Sequence, residues 1–391
     1  MASIELNDQQ EEAVRLGCSW WLRRHKQVFE ISGPAGSGKT TLVYSLMERM
    51  NIKRENVLFV AFVGKAAMEL SRKGNNAQTI HSTIYDLVEV PVLDDDGELI
   101  IKNGRVKRRP MFQKKPEVPS NIELFVIDEG GMVNKEIALD ILSYGIPVLV
   151  LGDLDQLPPV IGDAFFLRNP DVILTKVMRQ AEGDPIIHLS QMAKKGIYIP
   201  TGKYGDRCYV VMKDQITDDI MKSADIIICG KNKTRENINK HVRYNILGRT
   251  QDHPYIGDKI ICRQNNWKLK IENDLFLING MNGYIENIYL DTYNGKHINI
   301  DFRPEFLENE CFRNIQIDYK YLFMDFEERK NQGRGYVNRF EFGYAITAHL
   351  SQGSQYDKVL LFNERMGDER FYRKWLYTAI TRAKTHLILA L

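Results

Sequence analysis

The sequence predicts an α/β protein built on two parallel sheets that are covered by helices, with one smaller β insertion in each half. The first observation is that residues 27–151 alternate short β-rich runs with amphipathic helical segments, a pattern typical of a parallel sheet. The second is that the alternation starts again at residue 171 and, after a gap, at residue 336. The third is that two stretches, 91–119 and 257–335, break the alternation with turn residues and short strand-like pieces.

The first series is predicted to form a sheet whose strand ends carry the chemistry. Its strands are predicted at "QVFEIS", "NVLFVAF", "IELFVID" and "PVLVLGD", and its helices begin at Lys39, Lys65 and Lys135. Parallel sheets bind ligands beyond the carboxyl ends of their strands. A glycine-rich turn, the pair Asp128–Glu129 and the dipeptide Gly152–Asp153 all follow strands at that edge.

The second series is predicted to form a separate sheet. Its elements are the strands "DVILT", "CYVVM", "ADIIICG", "FEFGYAIT", "KVLLFN" and "THLILAL" and helices over 185–195 and 234–246. We therefore expect a first domain over 1–170 with an insertion at 88–120, and a second domain over 171–256 and 336–391 with an insertion at 257–335.

The insertion in the first half is predicted to be a protruding hairpin. Asp96–Gly97 joins two β-capable segments, 90–93 and 98–101, and Asp-Gly is a strong hairpin signal. The run 101–115 contains no acidic residue, and its basic residues are Lys102, Arg105, Lys107, Arg108, Arg109, Lys114 and Lys115. A surface that guides phosphates and an ordinary solvated loop both fit this charge.

The composition excludes several other classes of protein. The chain has 391 residues, 43% of them hydrophobic, and a formal net charge of +2, which fits a globular protein of two or three domains. Its apolar runs are far shorter than a membrane span, and the start "MASIELNDQQEEA" lacks the regions of a secretion signal. The five cysteines form no C-x-x-C pair, which argues against a zinc site or a disulfide framework. We expect a cytoplasmic protein with reduced thiols.

The segment 33–40, "GPAGSGKT", fits the phosphate-binding pattern G-x-x-x-x-G-K-[ST] and lies between a predicted strand and a predicted helix. Glycines let main-chain N–H groups approach phosphates, and the helix N-terminus adds its positive end. Lys39 is expected to reach the β and γ phosphates, and Thr40 to bind Mg²⁺. The predicted nucleotide-binding residues of this segment are Gly33, Ala35, Gly36, Ser37, Gly38, Lys39, Thr40 and Thr41.

Three further residues at strand ends are candidates for the chemistry of that nucleotide. Asp128 follows the apolar run "LFVI" and is expected to hold the magnesium, while Glu129 can accept a proton from the attacking water. Gln156, in "GDLDQLPPV", can hydrogen-bond both the γ-phosphate and that water. Taken alone, the acidic pair also fits a solvated strand end and the glutamine a proline-rich loop.

Two arginines of the second series are candidates for the opposite side of the same site. Arg179, in "VMRQ", and Arg382, in "LYTAITRAKTH", could stabilise charge on the transferring phosphoryl group across an interface. Such an arrangement makes domain closure depend on the nucleotide. As isolated arginines, both also fit ordinary surface positions.

Nine short motifs, in order along the chain, resemble those of superfamily 1 helicases of the RecD-like, 5′-to-3′ branch. They are "LNDQQ", "GPAGSGKTT", "AFVGKAA", "TIHS", "VIDEGGM", "GDLDQLPPV", "VMRQ", "AITAHLSQGSQYDKV" and "LYTAITRAK". The resemblance covers nearly the whole chain, and small phage helicases of the Dda type are similar in size and plan. It implies two RecA-like motor domains, 1A and 2A, a strand-separating pin at 88–120 (domain 1B) and an SH3-like barrel at 257–335 (domain 2B).

The resemblance also implies roles for single residues. Gln10 would read the adenine, the first-half residues named above would form one side of the ATPase site, and Arg179 and Arg382 would complete it. The expected contacts to single-stranded DNA are Phe62, Val63, Lys65, Thr79, His81, Phe112, Thr347, His349, Ser351 and Gln352.

The sequence departs from the family pattern at three places. The usual D-E-A-S-M is "DEGGM" here, so Gly131 lacks a hydroxyl that could link the ATP site to its neighbours. Phe62–Val63 replaces a common Pro-Thr, which puts a threonine contact to phosphate there in doubt. Leu350 stands where a lysine is common, so one contact to the DNA backbone is expected to be absent or supplied from elsewhere.

The leading hypothesis is an ATP-dependent DNA helicase that uses Mg²⁺, moves 5′ to 3′ on single-stranded DNA and unwinds duplexes in phage replication or recombination. It would act as a monomer in the cytoplasm (of the host, if phage-encoded) on single strands and forks, with a single-stranded-DNA-binding protein or a replisome component as partner. The alternative is an ATP-switched protein that clamps nucleic acid without processive unwinding. A fused nuclease would need a further acidic cluster, which the sequence does not contain.

Overall fold

A computed structural model describes most of the chain. The described residues are 6–62, 64–94, 97–102, 104–158, 163–176, 183–271, 275–292, 294–332 and 337–391. No helix within these ranges is long and apolar enough to cross a membrane.

Helices and strands follow one another along nearly all of the described chain. The α-helices are α1 Asp8–Arg23, α2 Lys39–Arg49, α3 Gly64–Arg72, α4 Ile80–Ile84, α5 Lys135–Leu142, α6 Pro185–Lys195, α7 Asp218–Ser223, α8 Asn232–His241, α9 Phe326–Lys330 and α10 Glu369–Ile380. The strands are β1 Val28–Ser32, β2 Val57–Ala61, β3 Ala77–Thr79, β4 Tyr85–Pro91, β5 Ile101–Lys102, β6 Arg105–Val106, β7 Arg108–Lys114, β8 Leu124–Asp128, β9 Val148–Gly152, β10 Val172–Ile173, β11 Gly202–Tyr204, β12 Cys208–Val211, β13 Ile226–Cys229, β14 Lys259–Cys262, β15 Asn266–Ile271, β16 Leu275–Leu277, β17 Asn282–Tyr289, β18 His297–Pro304, β19 Phe312–Asp318, β20 Phe340–Phe342, β21 Ala345–Thr347, β22 Tyr356–Phe362 and β23 Ala383–Ala390. The helix predicted over 234–246 begins earlier, at Asn232, and its last turn, Val242–Ile246, is a π-helix.

The first sheet is parallel and covered on both faces, as the alternation predicts. Its strands pair in the order β10-β1-β9-β8-β2-β3, and every pair is parallel. Strands β2, β8 and β9 are almost wholly buried, because continuous runs of Val, Leu, Ile and Phe need an apolar layer on each side. Side chains of α1, α2 and α3 pack on one face, and those of α4 and α5 pack on the other.

One short strand lies in a different sheet from the predicted one. The segment "DVILT" is expected to open the second series, but Ile31 pairs with Val172 and Ser32 with Ile173 at the edge of the first sheet. That expectation is wrong because a two-residue strand is placed by the neighbour it pairs with, and its own composition carries little information.

The second sheet has the order β11-β12-β23-β22-β13-β21. Its pairs are parallel except for the edge pair of β11 with β12, which is antiparallel. Helices α6 and α10 pack on one face around Leu189 and Trp375, and α7 and α8 pack on the other around Ile220 and Ile238. The predicted α/β class with two parallel-sheet halves is therefore confirmed.

The insertion in the first half is a two-stranded antiparallel ribbon. Strand β4 pairs with β7 from Tyr85 opposite Lys114 to Pro91 opposite Arg108. Asp96 lies outside the described residues, but Leu93 and Leu99 form a bridge on either side of it, as expected of a hairpin turn. The ribbon starts earlier than predicted, and most of the basic run 101–115 is strand and not loop, since β5 also pairs with β6 at the tip.

The insertion in the second half is an antiparallel sheet with the order β19-β18-β17-β14-β20. Buried rings of Phe302, Phe312 and Phe340 lie in its core, and strands β15 and β16 form an additional hairpin beside it. Strand β20, expected in the second series as part of "FEFGYAIT", pairs with β14 instead. Only β21 from that segment joins the second parallel sheet, so this part of the prediction is wrong.

Candidate nucleotide site and nucleic-acid surface

The glycine-rich segment forms an open loop between β1 and α2. Gly36 and Gly38 have φ angles of +79° and +76°, which favour glycine because other residues clash there. The N–H of Gly33 donates to the carbonyl of Gly152 at 3.0 Å, and this bond holds the loop against the end of β9. A side chain at Gly33 would approach Ser37 Oγ to 2.6 Å. The loop therefore brings its glycines and their main-chain N–H groups to the start of α2.

The side chains of this loop fit a polyphosphate. The Lys39 ammonium lies at the mouth and donates to the carbonyls of Gly33 at 2.6 Å and Pro34 at 3.0 Å. Ser37 Oγ is buried without a hydrogen-bond partner among the described atoms, and Thr40 and Thr41 are half-buried in the first turn of α2. Donors without acceptors beside a lysine and a helix N-terminus are what a phosphate chain requires.

Gln10 lies next to the phosphate loop. It is completely buried, and its Nε2 donates to the carbonyl of Ser37 at 3.0 Å. Its Oε1 accepts from the N–H of Asn7 at 3.0 Å in a capping box that starts α1. The structure thus places Gln10 where it supports the loop, and its contact with adenine stays a prediction.

Asp128 and Glu129 meet at the end of β8, beside the loop. Burial raises the pKa of both carboxyl groups, and the nearby Lys39 ammonium opposes that shift in each case. The Asp128 carboxylate further raises the pKa of Glu129, whereas Arg382 and a hydrogen bond from Gln156 lower it. The sequence-predicted residues Asp128, Glu129 and Gln156 are therefore brought together.

Arg382 reaches this cluster from the second half. It is almost fully buried, and its guanidinium donates to the carbonyls of Thr378 at 3.0 Å and Ser354 at 3.1 Å. Its positive charge acts on Glu129, which belongs to the first sheet. Arg179, the other predicted arginine, lies outside the described residues.

The described part of the chain contains no group of three or more His, Cys, Asp or Glu side chains that could hold a metal ion. The Mg²⁺ site, for which Thr40 and Asp128 are the expected protein ligands, stays a prediction. Mg²⁺ commonly keeps several waters and takes its other ligands from substrate phosphates.

Helix α10 also holds the Gln156 segment directly. Lys374 Nζ donates to the carbonyl of Leu154 at 2.7 Å, and the N–H of Leu157 donates to Thr378 Oγ1 at 2.9 Å. Gln352 Nε2 donates to the carbonyl of Leu157 at 2.8 Å. Sequence reasoning did not identify these contacts, because helical spacing shows which residues share a face but not what that face meets.

The expected DNA contacts after β21 point mostly inward. Ser351 is completely buried, and its hydroxyl donates to the carbonyl of Ala348 at 2.8 Å. Gln352 is buried and bonded to Leu157, and Thr347 is also buried. In this arrangement Ser351 and Gln352 bond parts of the fold to one another, and their contact with DNA stays a prediction. His349 is half-buried, with its ring stacked 6.1 Å from that of Phe371.

The expected contacts of the first half gather around His81 instead. Thr79 caps α4 by accepting from the N–H of Ser82. The ring of His81 lies 5.4 Å from Phe112, 5.9 Å from Phe62 and 6.0 Å from Trp267, and burial lowers the pKa of His81. Val63 and the side chain of Lys65 lie outside the described residues.

Trp267 was missed by sequence reasoning. It lies on β15 of the second insertion yet contacts Phe112 of the ribbon at 5.3 Å, and Lys268 beside it pairs with Glu89 of β4. The signal was present in "NNWKLK", where an aromatic residue is followed by two lysines, a combination typical of single-strand binding. The ribbon, the β15–β16 hairpin and the region around His81 therefore share one aromatic cluster.

Comparison with known families agrees with this geometry. The model of the AAA domain family matches residues 5–211, and that of the UvrD-like helicase C-terminal domain matches residues 342–390. The chain belongs to the AAA domain family. Within it, the relatives and structures described next confirm the resemblance to superfamily 1B, while a particular closeness to the Dda type stays a prediction.

The chain is 23% identical to the ATP-dependent RecD2 DNA helicase of Deinococcus radiodurans, over 93% of this chain and 46% of the relative. It is 25% identical to an uncharacterized protein of Methanocaldococcus jannaschii, over 91% of this chain and 36% of that protein. The chain thus spans less than half the length of these two curated relatives.

Solved structures share the fold. Bacteroides Pif1 bound to single-stranded DNA superposes with a TM-score of 0.53 at 18% identity, over 100% of this chain and 93% of that one. A Pif1 structure described as explaining unwinding at forked duplex DNA gives a TM-score of 0.54 at 19% identity, over 100% and 92% of the two chains.

Proposed function

We propose that this protein is an ATP-dependent DNA helicase that moves 5′ to 3′ along single-stranded DNA and unwinds duplexes. The observation that carries the proposal is the position of Arg382. It lies in the second parallel half, directly after α10, which hydrogen-bonds Leu154 and Leu157 of the first half, and its charge lowers the pKa of Glu129. A nucleotide held by the phosphate loop would therefore lie between two α/β units. A site divided in this way makes closure of the two halves depend on the nucleotide.

Each residue of the site receives a role from its position. The loop Gly33–Thr40 with Lys39 would hold the phosphates, while Thr40 and Asp128 would hold Mg²⁺, which neutralises charge on them. Glu129 would accept a proton from the attacking water, and Gln156, bonded to Glu129, would orient that water. Arg382 would stabilise the charge that develops on the transferring phosphoryl group, and we assign the same role to Arg179.

The two insertions would contact the nucleic acid. We assign 1–170, together with β10, to the first motor domain, and 171–256 and 336–391, without β10 and β20, to the second. The ribbon within 88–120 would be a strand-separating pin, and 257–335, together with β20, an accessory domain. The observation in favour is the aromatic cluster of His81, Phe112 and Trp267, because aromatic rings beside basic residues are a common platform for unpaired bases.

The test is ATP turnover by the purified chain with and without single-stranded DNA, combined with strand displacement. We expect the DNA to stimulate turnover several-fold and a duplex with a 5′ overhang to be separated. Strong stimulation without displacement would favour the ATP-switched clamp. Displacement only from 3′ overhangs would contradict the assigned direction.

Partners of the protein follow from the same proposal. Single strands and forks are the expected substrates, and a protein that coats single-stranded DNA or a replisome component is the expected partner. We further propose a role in phage replication or recombination, a cytoplasmic location and action as a monomer.

A further inference from the structure

The hydroxyl of Tyr377 lies where three parts of the candidate site meet. It donates to Oδ2 of Asp153 at 2.5 Å, and it accepts from the main-chain N–H of Ala35 in the phosphate loop at 3.1 Å. The ring is completely buried and belongs to α10, which leads directly to Arg382. We propose that Tyr377 is a positioning residue for ATP hydrolysis, an inference that rests on the proposed function.

The way α10 docks explains why Tyr377 can do this. Lys374, Tyr377 and Thr378 are spaced i, i+3 and i+4, so they project from one face of the helix. Lys374 and Thr378 bond the main chain of Leu154 and Leu157 and fix the helix on that segment. Tyr377, between them, is long enough to pass the segment and reach the phosphate loop.

Asp153 connects Tyr377 to the turn that contains Gln156. Its Oδ1 accepts from the N–H of Asp155 at 3.0 Å, and its carbonyl accepts from the N–H of Gln156 at 3.3 Å. Burial raises the pKa of Asp153, and both the Lys39 ammonium and the Tyr377 hydroxyl oppose this shift. One hydroxyl thus joins the phosphate loop, the turn that holds Gln156 and the helix that leads to Arg382.

Removing this hydroxyl is expected to let the phosphate loop, the Gln156 turn and α10 shift relative to one another. The Tyr377→Phe variant keeps the buried ring but leaves the Asp153 carboxylate and the Ala35 N–H without their shared partner, which is costly for buried polar groups. A misplacement of about 1 Å among reacting groups can lower a rate about 10²-fold. We therefore expect kcat for DNA-stimulated ATP turnover to fall about tenfold or more, with KM changed by less than about threefold.

The experiment compares the wild type with Tyr377→Phe and with a matched control, Tyr204→Phe. The Tyr204 hydroxyl donates to the carbonyl of Pro200 at 2.9 Å in the same half but outside the site. Steady-state turnover, melting temperature and hydrogen exchange of the peptides covering 33–38 and 153–158 are measured for all three proteins. In Tyr377→Phe we expect lower kcat and faster exchange in both peptides, and in the control neither change.

Each alternative outcome is decisive. A kcat within about twofold of the wild type, or a raised KM with kcat unchanged, overturns the positioning role. An equal loss of kcat in Tyr377→Phe and Tyr204→Phe shows that a lower folded fraction, and not positioning, lowers the rate. If the wild type itself shows no DNA-stimulated turnover, the proposed function fails. In that case unchanged exchange in the 33–38 peptide would also overturn the link through Tyr377, whereas faster exchange would uphold it.

Discussion

Glu129 shows at the scale of one residue how the backbone aims a functional group. Its φ and ψ angles are +55° and +43°, a left-handed conformation that costs a non-glycine residue about 1 kcal/mol or more. The neighbouring Gly130 fits closely against β9, since a Cβ there would approach Val150 Cγ1 to 2.2 Å. This tight packing holds the turn and directs the Glu129 carboxylate toward Gln156 and Arg382. Residues in such conformations are frequent at functional sites.

Lys39→Ala is expected to abolish ATP turnover and unwinding without unfolding the protein. The ammonium donates to loop carbonyls and lies near the acidic groups of the site, so its loss removes the charge opposite the phosphates but no core packing. Turnover and the circular dichroism spectrum are the measurements. Lys222→Ala, on the exposed side of α7, is the matched control. Near-normal turnover in Lys39→Ala would mean that the phosphate site has been assigned to the wrong loop.

Glu129→Gln is expected to bind ATP and to lower kcat by a factor on the order of 10² to 10⁴, because the amide cannot accept the proton of the attacking water. Binding is measured with a fluorescent ATP analogue and kcat by phosphate release. Glu136→Gln, exposed at the start of α5, serves as control. Weakened binding with normal kcat would rule out the general-base role.

Arg382→Ala is expected to lower turnover far more than nucleotide affinity, since the guanidinium acts on charge that develops in the transition state.

Arg382→Ala should also change the pH profile of kcat/KM. Burial and Asp128 raise the pKa of Glu129, while Arg382, Lys39 and Gln156 lower it. Glu129 acts as a base only when ionised, so activity falls as pH drops through its pKa. Loss of Arg382 raises that pKa, and the acidic limb of kcat/KM must move to higher pH.

Arg365→Ala provides the control for this pH effect, since Arg365 is an exposed residue that pairs with Glu369. Its profile should match that of the wild type. An acidic limb that stays in place, or moves to lower pH, in Arg382→Ala would show that the two side chains do not interact as the structure indicates.

At the scale of elements, the ribbon of the first half and the β15–β16 hairpin of the second half contact each other. The ribbon keeps apolar side chains on its surface, with Ile101 66% and Leu93 53% exposed near the tip. Its base is fixed by the aromatic contacts of Phe112 and Trp267 and by the pair of Lys268 with Glu89. A rigid base with an exposed apolar tip suits a wedge between bases, because unstacked bases favour apolar and aromatic surfaces.

Replacing residues 92–107 with a short Gly-Ser turn is expected to remove most duplex unwinding while DNA-stimulated ATP turnover persists. The replacement keeps β4, β7 and Phe112, so the aromatic cluster remains. Melting DNA costs about 1.4 kcal/mol per base-pair step, and without an obstacle at the fork the strands re-pair. Both activities are measured on one protein preparation with a 5′-overhang substrate. Undiminished unwinding would make the tip an ordinary solvated loop.

At the scale of the whole molecule, the sequence predicted the elements that follow a repeating pattern along the chain. It missed the features that depend on contacts between residues far apart in the sequence. Alternation predicted both parallel sheets, and the context of Lys39 predicted the loop between a strand and a helix that the structure has between β1 and α2. The sheets that receive β10 and β20 were predicted wrongly, because strands of two or three residues are placed by their partners. Ser351 and Tyr377 illustrate the same limit for side chains. Whether each faces a ligand or the interior depends on segments far away in the chain.

The final prediction concerns the two halves acting as one unit when nucleotide is present. Phosphate-loop residues lie on the first half, and Arg382 and Tyr377 lie on the second, so a bound nucleotide is expected to contact both. A ligand that binds only the folded site at 100 times its Kd adds about 2.7 kcal/mol to the free energy of unfolding. We expect Mg²⁺ with a non-hydrolysable ATP analogue to raise Tm by a few degrees and to merge any separate unfolding steps into one.

Differential scanning calorimetry of the wild type with and without the analogue measures this effect. Lys39→Ala should show little shift in Tm, because the phosphate chain loses its main positive partner. Arg382→Ala should still show a shift, since its side chain acts chiefly in the transition state, but the unfolding steps should separate again as the bridge between the halves weakens. If the analogue stabilised only one step in the wild type, the nucleotide would be held by one half alone, and closure around it could not drive movement along DNA.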